Sequence, residues 1–276
     1  VTTLATPGAG RSLATHLGLS MWEVPVPGTE GTGIDGRVPN LEHLRGPGGN
    51  VSAGVLLTLL DCVGGLSAGL AVLPDWVVST NLMMTTASFD HVGPFLVTGR
   101  TLRAGRKAVV SAAQVLDEGR GGALVADGVL TSAVLTPAEG PPVYGRPLTL
   151  TAPEREPGPV PGLAEFFGTE TVDARTLVMP LAEHLRNPWG ILHGGATAAL
   201  VDAAAEHAAG EHAAGAALRT ADIVLHFLAP GRVGPVEARV EIVGDRPDGR
   251  VVEVSVHDRG ADDRRVVVAV VTLRTP

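Results

Sequence analysis

Apolar and polar positions follow one order twice along this chain. Each half opens with a short helical stretch and passes through a strand or hairpin, "LSMWEVPV" in the first and "TVDARTLVM" in the second. A glycine-rich turn then leads into a long, mostly apolar segment. These segments predict helices over about 52–73 and about 194–217. Three or four β-branched, partly alternating runs follow each helix. In the second half they read "TADIVLHFLA", "PVEARVEIVG", "RVVEVSVHD" and "RVVVAVVTLRT". Gly, Pro or Asp turns separate them, so they predict strands. One long helix followed by a run of strands predicts an α+β fold with an antiparallel sheet curled around a central helix. Alternating βαβ units would give a different order.

The repetition extends to individual residues. "EHLRGPGG" at 42–49 returns as "EHLRNPWG" at 183–190, a shift of 141. The same shift pairs Pro47 with Pro188, Gly54 with Gly195, Asp61 with Asp202, and the "VGP" at 92–94 with that at 233–235. A period this long describes two tandem domains and not a solenoid. The expected division is an N-terminal domain over 10–137, a Pro-rich extended linker over 138–160, and a C-terminal domain over 161–276.

The repeat decides one ambiguity. Residues 51–73 carry a single charge, Asp61, and are long enough to span a bilayer. The matching stretch contains Glu206, His207, Glu211 and His212. Two copies of one fold would not place one helix in lipid and the other in water. A buried core helix is therefore expected, with no membrane span.

Composition narrows the function classes. The 276 residues are 45% hydrophobic, enough for a real core. A net charge of −8 and the absence of a Lys/Arg-rich block argue against a nucleic-acid partner. Cys62 is the single cysteine, which excludes an intrachain disulfide framework and fits a reducing cytoplasm. The first residues lack the basic start and apolar run of a signal peptide. The Glu206, His207, Glu211 and His212 cluster invites a metal, but its first-half counterparts are Gly65, Leu66, Leu70 and Ala71. A solvated helix face is the expected reading, with no metal and no cofactor.

The candidate chemistry lies in "NPWGILHGGATAALVD", residues 187–202. His193, Gly194 and Gly195 open the long helix, where backbone N–H groups have no intrahelical partner. A helix N-terminus favours developing negative charge, as on a carbonyl oxygen becoming an oxyanion. Asp202 follows His193 by nine residues. That spacing is about 13.5 Å of helix and about half a turn beyond whole turns. Asp202 is therefore expected to serve a neighbouring helix's N-terminus and not its own. Two long helices packed as a pseudo-twofold pair would give two composite sites.

These residues resemble the signature of PaaI-type hotdog-fold acyl-CoA thioesterases, N-x5-HGG-x6-D followed by Ser or Thr at the next strand. The likeness is strong in the second half and weak in the first. It implies a tandem, or double, hotdog forming an intrachain pseudo-dimer, with hydrolysis of an acyl-CoA or related acyl thioester. Carried over by position, one composite site is complete: Asn187, His193 and Gly194 from the second half, with Asp61 and Ser79 from the first. Gly195 is implied as substrate-binding. The reciprocal site would use Gly46, Ser52 and Ala53 with Asp202 and Thr220, and it lacks both Asn and His. In the implied mechanism Gly194 N–H polarises the carbonyl. Asp61 activates water or attacks directly, Ser79 positions it, and Asn187 and His193 orient water and thioester. Further homo-oligomerisation is also implied.

Other readings are weaker. "GLSAG" at 65–69 matches a hydrolase nucleophile elbow, but the repeat puts Ser67 inside the long helix. A non-catalytic acyl-CoA-binding or sensing module on the same fold is the second functional class. Small residues such as Gly64, Gly65, Ala203 and Ala204 fit an elongated apolar slot without choosing the acyl group. Arg103, Arg106 and Lys107, or Arg246 and Arg250, are candidates for CoA phosphates.

Overall fold

The computed structural model describes residues 12–29, 31–39, 42–46, 49–136, 146–152, 159–210 and 217–276. The first half builds α1 (Leu13–Leu17), β1 (Ser20–Pro25), β2 (Thr32–Val38), α2 (Ala53–Leu70) and β3 (Trp76–Thr86). It closes with β4 (Phe95–Ala104), β5 (Ala108–Asp117) and β6 (Ala123–Leu135). A two-residue strand, β7 (Thr149–Leu150), comes next. The second half repeats the order with α3 (Leu163–Phe167), β8 (Glu170–Asp173), β9 (Thr176–Met179) and α4 (Gly194–Ala209). Its sheet continues with β10 (Arg219–Phe227), β11 (Val236–Arg246), β12 (Gly249–Asp258) and β13 (Arg264–Arg274).

The helices stop earlier than their apolar runs. The first ends at Leu70, and the chain turns through Ala71–Pro74. Leu73 precedes a proline, where helical backbone is disfavoured. The second ends at Ala209, because Gly210 adopts φ 58°, outside the right-handed helical region. Glu211 and His212 lie outside the described residues, as does Pro47 of the repeat. Most of the expected linker also lies outside them, but Thr149–Leu150 pairs antiparallel with Met21 and Trp22 of β1.

Among the described residues, thirteen strands form one antiparallel sheet in the order β7-β1-β2-β4-β5-β6-β3-β10-β13-β12-β11-β9-β8. The order is nearly palindromic about the β3–β10 seam. There Met83 pairs with Val224, its own counterpart under the 141 shift. The strands β2–β6 wrap α2, and β9–β13 wrap α4. Strand alternation sorts the core: Val252, Val254 and Val256 of β12 point inward with Val267, Ala269, Val271 and Leu273 of β13. The helix α2 is long and apolar enough to cross a membrane (18 residues, mean hydropathy 1.7), yet 89% of it is buried inside the molecule.

Both halves copy their fine structure. Buried Asp117 accepts the Val92 and Gly93 amides at 2.7 and 2.9 Å, and Asp258 accepts those of Arg232, Val233 and Gly234 at 2.7–3.0 Å. Burial works against ionisation of both acids, but the amides outweigh it and hold each carboxyl below its usual range. Isolated bridges Arg45–Val51 and Arg186–Leu192 close the two helix-entry turns.

Two small residues set how closely α2 and α4 approach. A Cβ on Gly54 would lie 2.7 Å from Ala199 Cα, and one on Gly195 would lie 2.4 Å from Thr58 Cγ2. Thr58 Oγ1 sits at 2.7 Å from the Gly54 carbonyl and 2.9 Å from the Gly195 carbonyl, linking the helices by hydrogen bonding.

Candidate active site

This close packing sets each helix N-terminus against the middle of the other helix. Two composite sites result, and they differ in chemistry.

In the first, Asp61 of α2 meets the entry turn of α4. Ser79 Oγ donates to Asp61 Oδ1 at 2.7 Å. Ser79 is brought there by β3, whose register against β6 shifts between Ser79 and Asn81. A bulge of this kind re-aims a side chain at a strand end. Asp61 Oδ2 lies 3.7 Å from His193 Nδ1 and would be 2.7 Å from a Cβ on Gly194. Only glycine lets the turn come this close to the carboxylate. Phe227, at the end of β10, closes the opposite side, with Cζ at 3.3 Å from that same Cβ position.

His193 is the N-cap of α4. Its Nδ1 accepts the Gly195 N–H at 2.9 Å, which leaves the ring proton on Nε2 in the neutral form. Burial lowers its pKa, and the Asp61 charge opposes this in part. The Gly194 N–H, in the first turn, enters no hydrogen bond among the described residues. The arrangement therefore offers a carboxylate, a helix-terminal amide and an imidazole Nε2–H in one place.

Two residues of the expected set have partners within the protein. Asn187 was expected to orient water and thioester. Its Oδ1 accepts the Trp189 and Ile191 amides at 2.9 and 3.3 Å and shapes the loop that carries His193. Gly195 was expected to touch substrate. It is buried in the helix crossing, with its N–H on His193 and its carbonyl facing Thr58.

In the second composite site, Asp202 of α4 meets the entry turn of α2. Ser52, the counterpart of His193, is the N-cap and accepts the Val55 N–H at 3.3 Å. The Gly54 amide, counterpart of the amide that His193 holds, donates to Asp202 Oδ2 at 2.7 Å. Burial raises the Asp202 pKa, against the Thr220 hydroxyl, the Gly54 amide and the Ser52 hydroxyl. Glu206, one turn further on, is not on a solvated face as expected. Its carboxylate takes Arg219 Nη1 at 3.0 Å and the Thr220 N–H at 3.2 Å. Burial and the neighbouring Asp202 push its pKa up to about 7. His207 Nε2 meets the Asp173 carbonyl at 3.1 Å. Among the described residues no group of three His, Cys, Asp or Glu side chains could hold a metal ion.

A cavity of about 930 Å³ opens on this second site. Ser52, Ala53, Asp202, Glu206, Arg219 and Thr220 line it together with apolar side chains from both halves. No direct signal in the sequence marks Thr58, Phe227 or the Glu206–Arg219 pair. Thr58 and Phe227 act through space, and Glu206 and Arg219 have Gly65 and Val78 as their repeat counterparts.

Comparison with known proteins follows the same division. Residues 185–274 match the family described as acyl-CoA thioesterase N-terminal domain. No curated protein matches the chain. Among solved structures, the 12:0-ACP thioesterase of Umbellularia californica superposes with TM-score 0.60 at 10% identity, covering 88% of this chain and 94% of that one. An acyl-ACP thioesterase of Bacteroides thetaiotaomicron gives 0.56 at 13% identity, covering 87% and 97%. A hot dog fold protein of Alicyclobacillus acidocaldarius gives 0.54 at 12% identity, covering 90% and 94%. The chain thus has an α+β double hotdog fold, two helices each wrapped by its share of one antiparallel sheet.

Proposed function

We propose that the chain hydrolyses an acyl thioester of the acyl-CoA class at the composite site of Asp61, Ser79, His193 and Gly194. The observation that carries this reading is the meeting of Asp61, with one oxygen held by Ser79, and the glycine turn at the start of α4. The family match over residues 185–274 supports the substrate class.

The thioester carbonyl oxygen takes the Gly194 N–H, where the helix terminus stabilises the charge it acquires. Asp61 removes a proton from water, and the oxygen attacks the carbonyl carbon. The tetrahedral intermediate then collapses, the C–S bond breaks, and the leaving sulfur receives the proton from Asp61. Water and thioester become carboxylic acid and thiol. Direct attack by Asp61, with hydrolysis of the resulting anhydride, uses the same geometry. His193 holds the Gly195 amide and presents Nε2–H as a donor, and Asn187 keeps the turn in shape.

Thiol release from a panel of acyl-CoAs tests this. Asp61→Asn is expected to lower kcat by at least about 100-fold. Asp202→Asn should leave most of the activity. Equal loss from both substitutions would exclude a single working site. The second reading, an acyl-CoA-binding module, is favoured by the cavity at the second site, and absence of thiol release from every thioester would select it.

A further inference from the structure

The two sites have kept different things. One has the histidine and the glycine turn; the other lacks both and opens on the 930 Å³ cavity. We infer that the histidine-less site is a second ligand-binding site, which holds an aliphatic chain with an uncharged polar head and does not hydrolyse it.

Shape carries the first part. Small-molecule sites occupy about 300–1,000 Å³ and are mostly apolar with a few polar groups. The walls here are Leu56 and Phe89 from the first half and Leu163, Phe167, Leu177 and Leu218 from the second. Ser52, Asp202, Glu206 and Arg219 supply the polar end.

The loss of hydrolysis follows from two local exchanges and one bond that they permit. Ser52 stands where the other site has His193. The Gly54 amide is then free to bind Asp202 Oδ2, so the oxygen that faces the turn is tied to the helix terminus that would otherwise receive a carbonyl. Ala53 stands where the other site has Gly194. A methyl group at Gly194 would lie 2.7 Å from Asp61 Oδ2, so the close approach of turn and acid in the first site needs the glycine that Ala53 replaces.

Charge selects the head. Both arginines of the wall are engaged: Arg219 with Glu206 at 3.0 Å, and Arg45 with the Gly49 carbonyl and Glu42. Glu206 and Asp202 stand one turn apart on α4, and each side chain of the Glu206–Arg219 pair keeps 20% of its surface exposed. An anionic head would lose its hydration there and meet carboxyl groups without a spare cation. An uncharged head meets no such repulsion and can accept from the remaining Arg219 donors.

The test is calorimetric titration of the full chain at pH 8.5 with octan-1-ol and with octanoate, repeated on three variants. Octan-1-ol is expected to bind saturably, and octanoate about tenfold more weakly. Ala203→Trp fills the cavity from an exposed position on α4 and should abolish octan-1-ol binding. Glu206→Gln keeps partners for Arg219 and the Thr220 amide while removing the charge, and should raise octanoate affinity about fivefold. Asp61→Asn should bind octan-1-ol as the wild type does, so failure of the hydrolytic reading leaves this result intact. No saturable octan-1-ol binding overturns the inference. So does binding unchanged in a folded Ala203→Trp, or an octanoate affinity unchanged in Glu206→Gln.

Discussion

Ser52 and His193 occupy equivalent positions, and both are N-caps. Serine is among the best N-cap residues, and its hydroxyl takes the third-position amide, Val55. Histidine takes the second-position amide, Gly195, and so keeps it from the opposing aspartate. The capping role is therefore served in both copies, and only the environment of the aspartate changes. His193→Ser should accordingly leave the melting temperature within a few degrees of wild type, because exchanging one cap for another shifts stability by under about 1 kcal/mol. The same substitution should lower kcat/KM by about 10–100-fold, measured as thiol release from the best acyl-CoA. Unchanged kcat/KM would make His193 a cap and nothing more. At this scale the sequence was partly legible. The nine-residue spacing from His193 to Asp202 excluded pairing within one helix, and the structure places Asp61 and Asp202 across the helix pair. Glu206 was not legible, since its partner Arg219 lies 13 residues on in another element and neither residue has a charged counterpart in the first half.

At the scale of elements, the crossing of α2 and α4 decides the geometry of both sites. Helix propensity alone would favour alanine over glycine at residue 195 by about 1 kcal/mol. Packing reverses the sign, because the added methyl would come within 2.4 Å of Thr58 Cγ2. Gly195→Ala is expected to destabilise the protein by about 1–3 kcal/mol, read from the midpoint of urea unfolding. A gain in stability would mean that the helices are free to move apart. The order of elements was legible from the apolar pattern. Their ends were less so, since composition continues past Leu70 and Ala209 while the backbone turns away at Pro74 and Gly210. The strand at Thr149–Leu150 is not legible either, because a two-residue strand has no periodicity and depends on its partner β1.

At the scale of the molecule, the two halves share one sheet and one helix pair. Residues 161–276 made alone would uncover Gly195, Ala199 and Asp202 of α4, which pack against Thr58 and Gly54 in the full chain, together with the β10 edge that pairs with β3. Such a fragment is expected to be either unfolded or a homodimer whose melting temperature falls on dilution, checked by sedimentation and circular dichroism. A monomer that stays folded at low micromolar concentration would show that the seam is dispensable. The seam also has a genetic consequence. Met83 pairs with Val224 as two subunits of a homodimer would pair across their axis. In a homodimer every codon change is written into both active sites at once, so no site can drift without the other. Here the covalent fusion gives each site its own codons. One of them holds serine at residue 52 and the other histidine at residue 193, and the two can follow separate chemistries inside one folded body.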